Sequence, residues 1–146
     1  MQICFFPIGI VRNSLSDEEV RRARNGVRGY IEVFKEYMDG LDGIEEFSHI
    51  MIIAYLHKVS WERRKVLKVR PRGRMDLPLI GVFSTNSPLR PNPIAVTIVR
   101  LLDRRGNILY VDGLDLFDGT PVLDIKPYTP GRIIRDATFP EWIHKL

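Results

Sequence analysis

Near the end of the sequence, in "DGTPVLDIKPY", Asp124, Lys126 and Tyr128 stand at alternate positions. On a strand, where side chains repeat every two residues, the three project from one face. Together they can handle a proton, with the carboxylate as base and the ammonium and phenol adjusting its charge. Alternate polar residues also serve simply as the wetted side of a strand, and spacing alone leaves both uses open. A second group is basic. From Lys58 to Arg74 eight Lys or Arg stand against one acid, Glu62, so this window carries +7 and the rest of the chain −3. It interleaves Trp61 and encloses "RPRGR", a glycine-containing loop whose Arg70, Arg72 and Arg74 can track phosphates. The other use of such a run is a solvated face.

A third stretch is "STNSPLRPNPIAVT", residues 84–97. Pro88, Pro91 and Pro93 each hold φ near about −65° and steer Ser87, Arg90 and Asn92 toward extended backbone. So stiff a loop loses little entropy on ordering and keeps main-chain groups available. It suits a preorganised ligand wall, and it suits equally a rigid turn that delivers the next strand.

Other site chemistries lack support. No GxGxxG or Walker loop follows a strand, so a Rossmann or P-loop nucleotide site is not indicated. The three histidines have no companion cysteines at zinc spacing. His49 and His57, eight apart on one strand face, would stand about 26 Å apart at strand rise, so no metal is expected. Ser84, Ser87 and Cys4 show no local nucleophile signature, although a triad assembled from distant residues stays open.

The elements that must position these residues are mostly short strands. A first strand is predicted over Ile3 to Val11, then a helix opened by Ser16 as N-cap and ended before Gly26. "YIEVF" alternates in the strand manner. Phe47 to Leu56 is apolar on both parities and predicts a strand covered on both faces. "KVLKVR" suits an exposed strand, and "LIGVF", "IAVTIVRLLD", "NILYVDG" and "PVLDIKPY" complete a series punctuated by glycine turns. Many short strands and one helix predict an all-β fold, a single β-barrel or sandwich.

A chain of 146 residues suits one domain spanning 1–146. Its 45% apolar and 27% charged residues exclude a disordered class. No apolar run reaches the roughly 18 residues of a membrane span, and the first ten lack a basic leader. Cys4 is alone, which excludes an intramolecular disulfide, suits a small core residue and implies a reducing, cytoplasmic setting. Trp142, Ile143 and Leu146 are available to dock the tail.

Taken in order, "GIVRN", "FSHIMIIAYLHK", "RPRG", "GVFSTNSPLRPNPIAVT" and "LDLFDGTPVLDIKPY" resemble the TrmO family, also called TsaA-like or YaeB-like proteins, over most of residues 8 to 128. The resemblance implies an S-adenosyl-L-methionine-dependent methyltransferase on a β-barrel instead of a Rossmann sheet. It also implies a homodimer whose substrate is threonylcarbamoyladenosine beside the tRNA anticodon. Position by position, it implies cofactor contacts at His57, Lys58, Asn86 and Val96, and at Asp115, Leu116, Phe117 and Asp118. It places Asp124, Lys126 and Tyr128 near the chemistry as catalytic candidates. Arg70, Arg72, Arg74 and Arg90 are the candidates for contact with tRNA. Two positions depart from the family pattern, Asn86 where an arginine is usual and Ala95 where a glycine is. An asparagine offers a carboxylate only neutral hydrogen bonds. The alternative reading is therefore a non-catalytic RNA-binding β-barrel whose cofactor pocket is degenerate around Asn86. A third is a barrel that holds another small anion or nucleotide.

Overall fold

Side-chain alternation builds the strands, and a computed structural model describes them for residues 1–146. In β1 (Gly9–Arg12), Gly9 and Val11 are buried while Ile10 and Arg12 are half-exposed. In β2 (Val27–Val33), Ile31 and Val33 face the core. Strand β3 (His49–Tyr55) buries Ile50, Met51 and Ile52 at consecutive positions, so it is covered on both faces, as its apolar run predicts. Strands β4 (Lys68–Val69) and β5 (Ile80–Gly81) form a separate two-stranded sheet. Then come β6 (Ile94–Arg105), β7 (Ile108–Leu114) and β8 (Pro121–Pro127).

Six strands close into an all-β barrel in the order β1-β2-β7-β6-β3-β8, so no edge is left open. Its interior is aliphatic: Val11, Ile31, Ile52, Leu109, Val111 and Val122 have no solvent exposure. Between β1 and β2 lies α1 (Asp17–Arg22), whose N-cap is Ser16 in a reciprocal capping box with Glu19. At Gly26 the chain turns with φ +74°, close against the backbone of Gly113.

Two compact units are formed. One comprises Met1–Tyr55 and Ala95–Tyr128 and holds the barrel; the other comprises Leu56–Ile94 and Thr129–Leu146 and holds β4 and β5. In the second unit Val59, Leu77 and Val82 are buried and one-turn 3-10 helices replace much of the regular structure. No helix is long and apolar enough to cross a membrane.

Several boundaries differ from expectation. The first strand begins at Gly9, not Ile3, and Ile3, Phe5 and Phe6 are exposed. Pro7 has no N–H to donate, and the ladder starts only at Ile8, whose N–H donates to Val122 O at 2.8 Å. Cys4 lies in this exposed stretch and is therefore not a core residue. "KVLKVR" and "LIGVF" contribute only the two-residue β4 and β5. Proline at Pro71 and Pro78 removes the donors that longer pairing would need.

Candidate functional site

The proton-handling candidates lie on β8, and an irregularity in that strand decides where they point. Ala54 of β3 is opposite Val122, but Ile53 is opposite Asp124, so Leu123 is an extra residue on β8. Such a bulge switches the alternation. Val122 shares the inner face with Ala54, both at 0% exposure, whereas Asp124 and Lys126 share a face with Ile53 and Met51. There the two form an ion pair, Lys126 Nζ to Asp124 Oδ2 at 2.8 Å, with both side chains about half exposed. Asp124 Oδ1 also accepts from the Ile125 N–H at 2.9 Å. Tyr128 follows the strand end and donates its backbone N–H to His49 O at 3.1 Å. His49 is thus the neighbour that sequence reasoning passed over. Its spacing in the sequence speaks only to metal binding, and cross-strand register, which one sequence does not state, puts it beside Tyr128.

Residues 115–118 form the loop between β7 and β8, and the "GIVRN" stretch holds it. The Asn13 N–H donates to Asp118 Oδ1 at 3.1 Å, and Asn13 Nδ2 donates to Leu116 O at 3.2 Å. The next residue past the loop, Gly119, donates its N–H to Val11 O, and Thr120 Oγ1 donates to Phe117 O at 2.7 Å. From α1, the Arg21 guanidinium lies 5.0 Å over the Phe117 ring. Leu116 is buried, while Asp115 is exposed. Elsewhere in this unit Val96 faces outward on β6 at 65% exposure, in a stripe with Ile98 and Leu102.

The remaining candidates belong to the second unit. His57 and Lys58 stand in the exposed turn after β3. The proline loop is a braced structure: Arg90 Nη1 donates to Thr85 O and to Ser87 O, both at 3.1 Å, while Ser87 and Leu89 N–H groups donate to hydroxyls within the loop. Asn86 is exposed on its surface and lines a groove of about 1080 Å³. Its lining includes Arg63, Lys68, Arg70 and Arg72, and no Asp or Glu lines it anywhere. Phe83 lines it too, with Phe139 and Trp142 of the C-terminal segment.

The four arginines singled out in the sequence separate into two kinds. Arg70 and Arg72 line the groove, anchored by donation to Leu77 O at 2.6 Å and to Leu146 O at 3.0 Å. Arg74 instead grips both Asp76 oxygens, at 3.0 and 2.6 Å, and the Lys145 carbonyl. Those hydrogen bonds hold the Asp76 carboxyl below its ordinary value and push the Arg74 guanidinium up. Arg90, like Arg74, spends its guanidinium on partners within the chain. Arg63 and Lys68 were visible in the sequence only as part of the charged window, and only the groove distinguishes them from their neighbours.

Known proteins resemble this one along most of its length. Residues 19–132 match the family pattern described as the tRNA-methyltransferase O N-terminal domain. A probable S-adenosyl-L-methionine-binding protein of Pyrococcus abyssi is 41% identical over 149 aligned positions, covering 99% of this chain and 78% of the relative. A mouse tRNA (adenine(37)-N6)-methyltransferase is 46% identical over 96 residues, 66% of this chain and 22% of its own. A crystal structure of TrmO superposes with a TM-score of 0.75 at 34% identity; it covers 95% of this chain, which spans only 64% of that one. By the extent of the pattern match and by this identity, the chain belongs to the tRNA-methyltransferase O N-terminal domain family.

Proposed function

We propose that this protein is an S-adenosyl-L-methionine-dependent methyltransferase of tRNA, acting on the threonylcarbamoyl-modified adenosine beside the anticodon. The observation that carries the reading is the family match over residues 19–132. The names of the relatives support it, one as a probable S-adenosyl-L-methionine-binding protein and one as a tRNA (adenine(37)-N6)-methyltransferase. Such an enzyme works in the cytoplasm, on tRNA.

Each unit, taken by itself, carries donors and acceptors of the kind that cofactor takes. In the barrel unit, Asp115 and Asp118 offer acceptors for ribose hydroxyls on a loop clamped by Asn13, beside Leu116 and Phe117. Val96 of β6 offers apolar contact. In the second unit Lys58 and Asn86 are donors of the kind a carboxylate takes, and His57 adds a ring. Asn86 has only neutral donors, but four cations share its groove. When bound, the cofactor supplies a methyl group on a sulfonium that departs as a neutral thioether.

What remains for the protein is alignment and one proton. The acceptor nitrogen is conjugated to a carbonyl and nucleophilically weak, so a base that removes its proton helps. Asp124 is that base, and Lys126, 2.8 Å away, orients its carboxylate. Tyr128 completes the polar face. Two copies pair through β6, where Val96, Ile98 and Leu102 are exposed.

Isothermal titration with S-adenosyl-L-methionine and transfer of labelled methyl to tRNA test the proposal together. Asp124→Ala should abolish transfer while keeping cofactor affinity; unchanged turnover would remove Asp124 from its role. Retention of tRNA with neither cofactor binding nor transfer would leave the RNA-binding module instead.

A further inference from the structure

We infer that the groove of the second unit is a binding site for single-stranded RNA, in which the C-terminal segment supplies the wall that stacks the bases. The inference rests on the tRNA reading for its biological ligand, but the groove itself carries the chemistry. Its lining combines cations and aromatics. Arg63, Lys68, Arg70 and Arg72 supply the cations, with no acidic side chain among the residues lining the groove. The side chains of Arg63 and Lys68 make no hydrogen bond or ion pair, whereas Arg70 and Arg72 donate only to carbonyls. The barrel offers a contrast: a cleft of about 450 Å³ also contains two arginines, but there Arg12 is paired with Glu32 and Arg28 with Asp112. Of the two, the groove is the one whose cations have no carboxylate partner, and phosphates are what such a cluster attracts.

In the same lining, Phe83 is 77% and Phe139 55% exposed, and Trp142 is partly exposed. Leaving three aromatic rings open to water is unfavourable unless something flat covers them. Nucleobases do so without regard to sequence, because each has a π-face. A volume of about 1080 Å³ accommodates more than one nucleotide. The C-terminal segment is held in place by donation from Arg72 to Leu146 O and from Arg74 to the Lys145 carbonyl. The loop containing Asn86 forms part of the same lining, so a strand lying here reaches the residue proposed to hold the cofactor.

The test uses the full chain. Trp61→Phe leaves Trp142 as the one tryptophan, and its fluorescence is followed on titration with a uridine octamer. We expect saturable quenching and an affinity that falls with salt. Arg63→Gln and Lys68→Gln should each flatten the log–log salt slope by about 0.7. Trp142→Ala and Phe139→Ala, followed by the anisotropy of a fluorescein-labelled octamer because the first removes the reporter, should each weaken binding roughly tenfold or more without changing that slope, with Trp142→Phe restoring most of it. Absence of quenching, or equal displacement by an oligoaspartate peptide, would overturn the inference. Methyl transfer to tRNA separates this inference from the function it rests on. Normal transfer and unchanged kcat/KM in Trp142→Ala sink the groove and spare the enzyme; octamer binding without any transfer does the reverse.

Discussion

Asn13 and Asp118, 105 positions apart in sequence, are joined by a hydrogen bond of 3.1 Å from the backbone N–H of the first to the carboxylate of the second. The Asn13 side chain adds a bond to Leu116 O and accepts one from the Leu15 N–H at 3.0 Å. One asparagine thus ties the end of β1 to the loop of residues 115–118. Asn13→Ala removes both side-chain bonds and should cost about 1–2 kcal/mol of stability. If the loop holds cofactor, S-adenosyl-L-methionine affinity should fall about threefold to tenfold as the loop loses order. Thermal unfolding and calorimetric titration measure the two effects, and unaltered affinity in a destabilised variant would show that the clamp serves the fold alone.

Arg90 is expected to behave as a brace. Both of its recorded bonds run to carbonyls of its own loop, Thr85 and Ser87. Arg90→Ala should speed hydrogen exchange at the Ser87 and Leu89 amides and lower stability by about 1–2 kcal/mol. The salt dependence of RNA binding should stay as it was. A slope flatter by about 0.7 would instead mark Arg90 as a phosphate contact.

Gly26 tests how closely the barrel's connections are packed. A Cβ there would sit 2.4 Å from Gly113 C and 2.6 Å from its O, at φ +74°. Gly26→Ala should therefore combine left-handed strain with a backbone clash, about 2–5 kcal/mol in all. Gly43 has φ +88° but nothing within 4 Å. Gly43→Ala should show the strain alone, about 1–2 kcal/mol. Urea midpoints of the two variants give the difference, and equal losses would mean that the backbone at Gly113 moves aside.

Local signals were legible where one residue's neighbours in sequence are also its neighbours in space. Ser16 and Glu19 announce the start of α1 because a capping box closes within four residues. The consecutive apolar residues of β3 announce a strand covered on both faces, since burial on both parities leaves no polar alternation. The motifs that carry the family resemblance are likewise readable as strings. The apolar start of the chain misled: Ile3, Phe5 and Phe6 look like a strand, but pairing begins only past Pro7.

Facing and company were decided by tertiary structure alone. Counted from Val122 by twos, Asp124 belongs on the inner face, and a buried carboxylate there would be costly. The extra residue at Leu123 turns it outward to meet Lys126, and a bulge is defined by the partner strand, not by the strand that carries it. Likewise the basic window has one charge density in sequence, but folding gives its members separate work. Arg74 is consumed by Asp76 and Lys145, whereas Arg63, Lys68, Arg70 and Arg72 face a groove walled by Phe139 and Trp142 from the far end of the chain. By itself the sequence determined which charges and rings this protein has and which short strands it makes; which of those charges are left to meet a ligand depended on contacts between residues some seventy positions apart, which arise only when the chain has closed on itself.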